Sequence, residues 1–253
     1  MSDAMISLLR QRRSVRQFTG AHVSDADLKT ILATAQQAPN SINGQQISLV
    51  VTRDKATIAK IAEIAGGQPQ VAGADLFITI VIDYQRSAEA ARLAGETQVV
   101  EQSAEGILVG ALDAGIMLNA LQTAAAALGY GSTAIGGIRA NPQAMIDLLG
   151  LPPKTFPVVG TTLGVADTSK MPQLKPRVPL ASFALTERYD LAAVQAGVAS
   201  YDAELRAWWD AQGLTQMPSY VASTAGTYRR IYFPKIASTL ESQGFAFQDQ
   251  LPA

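Results

Sequence analysis

The chain has no cysteine and a single histidine, His22. That scarcity excludes disulfides, zinc–thiolate centres, iron–sulfur clusters and cysteine nucleophiles. A serine–histidine–acid triad would have to run through His22. That residue lies in the loop-like stretch TGAHVSDAD, and no nucleophile elbow occurs anywhere. His22 therefore reads as a surface loop residue. Charge of either sign is also sparse: 20 Lys and Arg stand against 21 Asp and Glu in 253 residues, a formal net charge of −1. Such a balance does not suit a polyanion binder, so a basic cluster here is a local device aimed at one small anion rather than at a nucleic acid. If the chain is an enzyme, a cofactor is the leading source of its chemistry.

The opening MSDAMISLLRQRR carries its charge on the wrong side of a weak apolar patch for a signal peptide, which points to the cytoplasm. One stretch, 103–128, is long enough to span a bilayer. It contains Glu105, Asp113, Asn119 and Gln122 and is rich in alanine, so the reading is a buried helix of a soluble protein with no membrane partner.

Helix and strand signals alternate along the first two thirds. Ser24 caps a helix with Asp25 and Asp27 in its first turn and Leu28, Ile31, Leu32 and Ala35 at helical spacing, stopped by Pro39. ISLVVT (47–52), LFITIVID (76–83) and FPVVGTTLGVA (156–166) read as core strands, and STAIGGIR (132–139) as a shorter one. A short helix is predicted over 54–67, the long one over 103–128, and another from Pro142 to Gly150. Continuous apolar strands between helices imply a sheet covered on both faces, an α/β or α+β layered domain. After the proline-rich MPQLKPRVPL (171–180) come helical candidates at 200–213 and 227–245. They offer no convincing second core, so the tail reads as an excursion that wraps something, such as a second subunit.

LGYGSTA (128–134) satisfies the dinucleotide pattern G-x-G-x-x-A, but a helix precedes it and a strand follows, the reverse of what a Rossmann site needs. Four other places combine better: RRSVR (12–16), PNSINGQQ (39–46), IGGIR (135–139) and LKPR (174–177). Arg12, Ser14, Lys175 and Arg177 would suit a phosphate monoester, whose three oxygens accept charge-assisted hydrogen bonds. Gly136 and Gly137 would let backbone approach a flat ligand. The residues alone say "phosphorylated small molecule".

Taken in order, RRSVRQF, GGQPQVAGAD (66–75), AIGGIRANP (134–142) and QLKPRVP (173–179) resemble the nitroreductase family of flavoproteins. The likeness runs from about residue 6 to the C-terminal end and is nearest to the NADPH-dependent oxygen-insensitive nitroreductase and flavin reductase branch. It implies an α+β three-layer sandwich, a central mostly antiparallel sheet flanked by helices, in an interlocked homodimer with FMN between subunits. Residues 1–180 would form the FMN-binding core, and 181–253 a helical excursion that wraps the partner or covers the flavin. By resemblance, Arg12, Arg13 and Ser14 lie at the FMN phosphate with Lys175 and Arg177. Arg16 reaches the ribityl chain and the N1/O2 edge. Asn40, Ser41 and Gln45 reach the pyrimidine edge from the crossing subunit, and Gln68 adds a polar contact. Ile135, Gly136 and Gly137 sit by the ring.

The implied activity is FMN-dependent NAD(P)H oxidoreduction. NADPH or NADH gives hydride at flavin N5, and a small flat acceptor (a nitroaromatic, a quinone or free flavin) then takes the electrons in a ping-pong cycle. No protein acid, base or nucleophile is required. The chain departs from the family at Ala134, where relatives often carry an aromatic, and at GLTQMPSY (213–220), which lacks the paired arginines of strongly NADPH-preferring relatives. Those departures motivate the alternative of a flavin carrier or redox sensor with little turnover. For Arg16 the plain alternative is an ion pair, and for Trp208 and Trp209 it is packing.

Overall fold

The computed structural model describes residues 2–248. Its four strands, β1 (Ile47–Thr52), β2 (Leu76–Asp83), β3 (Gly131–Ile135) and β4 (Thr155–Gly164), pair in the order β1-β2-β4-β3, each neighbouring pair antiparallel. α1 (Ser2–Arg10) and α2 (Asp25–Ala35) precede the sheet. α3 (Lys55–Ile64) and α4 (Pro69–Ala72) link β1 to β2, α5 (Gln85–Leu93) and α6 (Ala104–Ala127) link β2 to β3, and α7 (Pro142–Leu149) links β3 to β4. The fold is α+β, as the motifs implied.

Strand periodicity sorts the core into two layers. Leu76, Ile78 and Ile80 of β2 face α2 and α6, packing with Ile31, Ala35, Ala114 and Leu121. Phe77, one residue out of phase, lies on the other face among Ile58, Ile61, Ile138 and Met145. Its ring covers Gly160 of β4, where a β-carbon would stand only 2.1 Å from Phe77 Cζ. Helix starts follow local chemistry: Ser24, Asp54 and Ser103 each accept a backbone N–H in the first turn, at 3.0, 2.8 and 3.1 Å. Gly129 (φ 84°) ends α6 before β3, so LGYGSTA does not open a helix.

Three expectations change. The 47–52 strand is a half-buried edge rather than a core strand, because its one neighbour is β2. The 132–139 strand stops at Ile135, where Gly136 begins a 3₁₀ turn to Ala140. The long helix α6 is buried on one face only: it is long and apolar enough to cross a membrane, 28% of its most apolar window is buried within the chain, and Leu108 and Leu112 are each 65% exposed.

Residues 2–172 with 233–248 form one compact unit, and Gln173–Tyr232 form another. The second holds α8 (Leu180–Phe183), α9 (Leu191–Asp210) and α10 (Tyr220–Tyr228). It has a small aromatic core of its own, Tyr201, Leu205 and Trp209 packed with Trp208 and Tyr220. That core corrects the expectation that these pieces could not make one. Asp190 caps α9, accepting from Ala193 N at 2.9 Å, so the helix starts earlier than residue 200. The helix expected over 227–245 is two, since Pro234 falls between α10 and α11 (Ile236–Ser242). Leu240 and Phe245 then pack on Ile82, Tyr84 and Phe156 in the first unit.

Candidate functional site

Beyond α1 the chain runs extended along the ends of β3 and β4. Val15 N donates to Ser132 O at 2.9 Å, Thr19 N to Val165 O at 2.9 Å, and Asp167 N to Gln17 O at 3.0 Å, while Phe18 bridges Ala166. Val15 is the buried side chain of this segment. It presses on Gly131, where a β-carbon would come within 2.7 Å of Val15 Cγ1. Burying Val15 in extended backbone turns its neighbours Ser14 and Arg16 away from that contact. Arg13 is anchored to main chain, its Nε donating to Gln11 O at 3.1 Å and its Nη1 to Pro172 O at 3.3 Å.

Among the described residues none of Arg12, Arg13 and Arg16 meets a carboxylate, and Arg12 and Arg16 make no side-chain hydrogen bond. The ion-pair alternative for Arg16 is thus not found there. Arg12 and Arg13 line an open cavity of about 560 Å³ together with Gln11, Gln122, Ser132 and Thr168. Three neighbouring cations left without internal neutralisation repel one another, an arrangement that a bound dianion relieves.

The glycine pair follows buried Ile135 at the end of β3. Here the structure brings two expected residues together. A β-carbon on Gly137 would stand 2.6 Å from Gln68 Nε2 and 2.7 Å from Ala65 O. Gln68 Nε2 donates to Ala65 O at 3.0 Å, and Gln68 Oε1 accepts from Gln70 Nε2 at 2.6 Å. The Gln68 amide therefore has protein partners at both ends. Beside Gly136 lies Arg139, which donates to Val158 O and stacks 5.7 Å from the Phe233 ring centroid. Arg139 carried no assigned role in the sequence reading, though it ends the IGGIR motif.

The PNSINGQQ loop joins α2 to β1. Asn40 Oδ1 accepts from Gln45 N at 2.9 Å, and Ser41 N donates to Asp113 Oδ2 of α6 at 3.2 Å. Gln46 Nε2 donates to the same oxygen at 2.5 Å. From outside, Arg86 of α5 donates to Gln45 O, to Ile47 O at 3.3 Å and to Ser48 Oγ at 3.1 Å. Ile42, Asn43 and Gln45 hold left-handed φ values of 49°, 57° and 53°. Neither Asp113 nor Arg86 has a site role by sequence; an acid midway along a largely apolar helix is the available signal for the first.

Lys175 and Arg177 belong to the second unit. The Lys175 ammonium lies 4.7 Å from the Trp209 ring centroid, a cation–π contact, and Arg177 is exposed. Burial holds the Tyr201 hydroxyl above its ordinary range, and the nearby Arg177 charge works against that rise. Trp208 and Trp209 pack edge to face at 4.7 Å, in line with the packing alternative.

His22 is exposed, as expected, yet its Nδ1 lies 2.8 Å from the buried Asp75 carboxylate, which also accepts from Val23 N and from Arg53, each at 2.9 Å. This cluster ties the start of α2 to the start of β2. No group of three or more His, Asp or Glu residues placed to hold a metal ion occurs among the described residues.

The family described as "Nitroreductase family" matches residues 9–165, and its "C-terminal domain" matches 175–248. The chain belongs to the nitroreductase family. It is 35% identical over 247 residues to "FMN reductase [NAD(P)H]" of Bacillus subtilis, covering 96% of this chain and 98% of that one. It is 32% identical over 243 residues to "Oxygen-insensitive NADPH nitroreductase" of Salmonella typhimurium, covering 95% and 98%. Among solved structures, B. megaterium NfrA2 superposes with a TM-score of 0.93 at 37% identity, covering 97% of this chain and 99% of that one. The NADPH:FMN oxidoreductase from Vibrio harveyi, complexed with NAD⁺, does so with a TM-score of 0.84 at 30% identity, covering 96% and 99%.

Proposed function

We propose that this chain is an FMN-dependent NAD(P)H oxidoreductase that reduces flat, electron-poor acceptors such as nitroaromatics, quinones or free flavin. The observation that carries the reading is the Arg12–Arg13–Arg16 cluster: without a carboxylate partner among the described residues, with Arg12 and Arg13 lining an open cavity, in the segment where the family motif falls. These donors suit FMN. Guanidinium, hydroxyl and ammonium groups are the chemistry a phosphate monoester needs. Val15 is bonded to Ser132, and four residues of chain, roughly 13 Å if extended, lead from there to Gly136, leaving room for a ligand with a phosphate at one end and a flat ring at the other.

Bound FMN would supply the two-electron chemistry, accepting hydride at N5 from NADH or NADPH and passing the electrons to the acceptor. The chain's own work is binding and electrostatics. Arg12, Arg13 and Ser14 hold the phosphate, completed by Lys175 and Arg177. Arg16 places a fixed cation where negative charge gathers on reduction. Asn40, Ser41 and Gln45 line the pyrimidine edge, and Gln68, Ile135, Gly136 and Gly137 the ring.

A homodimer in the cytoplasm completes the proposal. The uncovered apolar face of α6 at Leu108 and Leu112 supports a second copy. The core would comprise residues 1–180, and the segment after it would reach around the partner or over the flavin. The test is anaerobic titration of the purified yellow protein with NADH and NADPH in parallel, followed by an acceptor panel. Bleaching of the flavin band and its return on adding acceptor are expected. No bleaching with either nucleotide overturns the enzyme reading, and tight FMN retention with slow reduction identifies a carrier.

A further inference from the structure

We propose that Asp113 is the positioning residue of the flavin site: it holds the 40–46 loop, and with it Asn40, Ser41 and Gln45, in the shape that meets the ring. This inference rests on the FMN reading above. Asp113 sits in the middle of α6, between the apolar runs 107–112 and 114–118, and is 4% exposed. A carboxylate in such a place is costly to bury unless its oxygens are hydrogen-bonded. No cation pairs with it among the described residues; the donors on its Oδ2 both come from the loop, Ser41 N at 3.2 Å and Gln46 Nε2 at 2.5 Å.

The loop needs such an anchor. Ile42, Asn43 and Gln45 all sit at left-handed φ, which costs non-glycine residues free energy, most of all β-branched Ile42, whose side chain is exposed within its own chain. Gln46 is 4% exposed and folds back beneath the loop, its Oε1 2.5 Å from where a β-carbon on Gly44 would stand. Asp113 also borders the small cavity of about 140 Å³ that Asn40, Gln45 and Arg86 share. One buried carboxylate thus fixes both ends of the segment whose side chains are assigned to the pyrimidine edge.

The test compares FMN dissociation constants, by fluorescence titration, and the visible circular dichroism of bound flavin for the full-length protein, Asp113→Asn, Gln46→Met, and the paired swap Asp113→Asn with Gln46→Glu. Asp113→Asn keeps one acceptor oxygen for Ser41 N and Gln46 Nε2 but removes the charge that strengthens both bonds; a weakening of roughly tenfold and an altered dichroism band are expected. Gln46→Met leaves the Ser41 bond and weakens FMN less. The paired swap reverses donor and acceptor and brings the dissociation constant back to within roughly threefold of the parent. If Asp113→Asn binds FMN with unchanged affinity and dichroism, the inference is overturned. It is also overturned if the swap restores melting temperature without restoring affinity. A parent protein that binds no FMN overturns the flavin reading instead, so the two failures are separable. Should Asp113→Asn not fold, the paired swap and Gln46→Met still decide.

Discussion

The Gln68 side-chain nitrogen lies 2.6 Å from the position a β-carbon on Gly137 would take, so the glycine that suits a flat ligand is also required by the protein's own packing. Beside it, and hydrogen-bonded to the same nitrogen, the Ala65 carbonyl stands 2.7 Å from that position and is part of the backbone. Gly137→Ala therefore must displace main chain. A loss of about 1–3 kcal/mol in urea unfolding is expected, with weaker FMN binding alongside; unchanged stability would refute this close-packed reading of the site wall.

Gly160 and Phe77 form a second such pair, in the sheet. Gly160→Ala drives a methyl into the Phe77 ring and should cost about 1–3 kcal/mol, while Phe77→Ala should cost about 3–5 kcal/mol. Because each relieves the other's defect, the double substitution should cost less than the sum, as read by a double-mutant cycle on denaturation midpoints.

Arg16 offers a separation of function from stability. With no partner to lose among the described residues, Arg16→Gln should change unfolding free energy by no more than about 0.5 kcal/mol. Removing its fixed cation should slow flavin reduction by NAD(P)H roughly 10- to 100-fold and make the flavin midpoint potential more negative. Stopped-flow absorbance and potentiometry read these. A strongly destabilised variant with an unchanged potential would return Arg16 to a structural role.

Tyr84 ties stability to alkaline pH. It is 3% exposed and donates to Gly106 O at 2.5 Å; burial first, then the Asp113, Glu101 and Glu105 charges, push its hydroxyl up to about 12. The unfolded chain ionises this group near its ordinary value of 10.0, so the contribution is whole below that pH and is lost as pH rises toward 12. The decline should amount to about 2–3 kcal/mol. Tyr84→Phe should be less stable at neutral pH through the lost hydrogen bond, but its stability should fall less steeply between pH 10 and 12. Parallel slopes for the two proteins would count against the assignment.

The legible parts of the fold were those where one local rule acts alone. The apolar runs of β2 and β4 announce burial on both faces, and Ser24, Asp54 and Pro142 mark helix starts by satisfying or lacking a backbone donor. Helix α5, QRSAEAARL, went unseen because it has little apolar face to give a period. That β1 lies at an edge depends on strand order, and that α6 leaves Leu108 and Leu112 uncovered depends on neighbours in space; neither is written in local spacing.

The site divides in the same way. Arginines crowded at 12–16 and paired glycines at 136–137 are visible as residue types. What orients them is not: Val15 seated on Gly131, Gln68 against Gly137 and Asp113 beneath the loop join positions between 67 and 116 residues apart. Only the folded chain makes those pairs.

The most direct measurement compares FMN with riboflavin, which differs by the phosphate alone, in the parent protein and in Arg12→Ala and Arg177→Ala. FMN should bind the parent at least roughly 100-fold more tightly than riboflavin, and each substitution should weaken FMN about 10-fold or more while leaving riboflavin affinity unchanged. Equal affinity of the parent for the two ligands, or variants that weaken both alike, would contradict the claim that these arginines hold the phosphate.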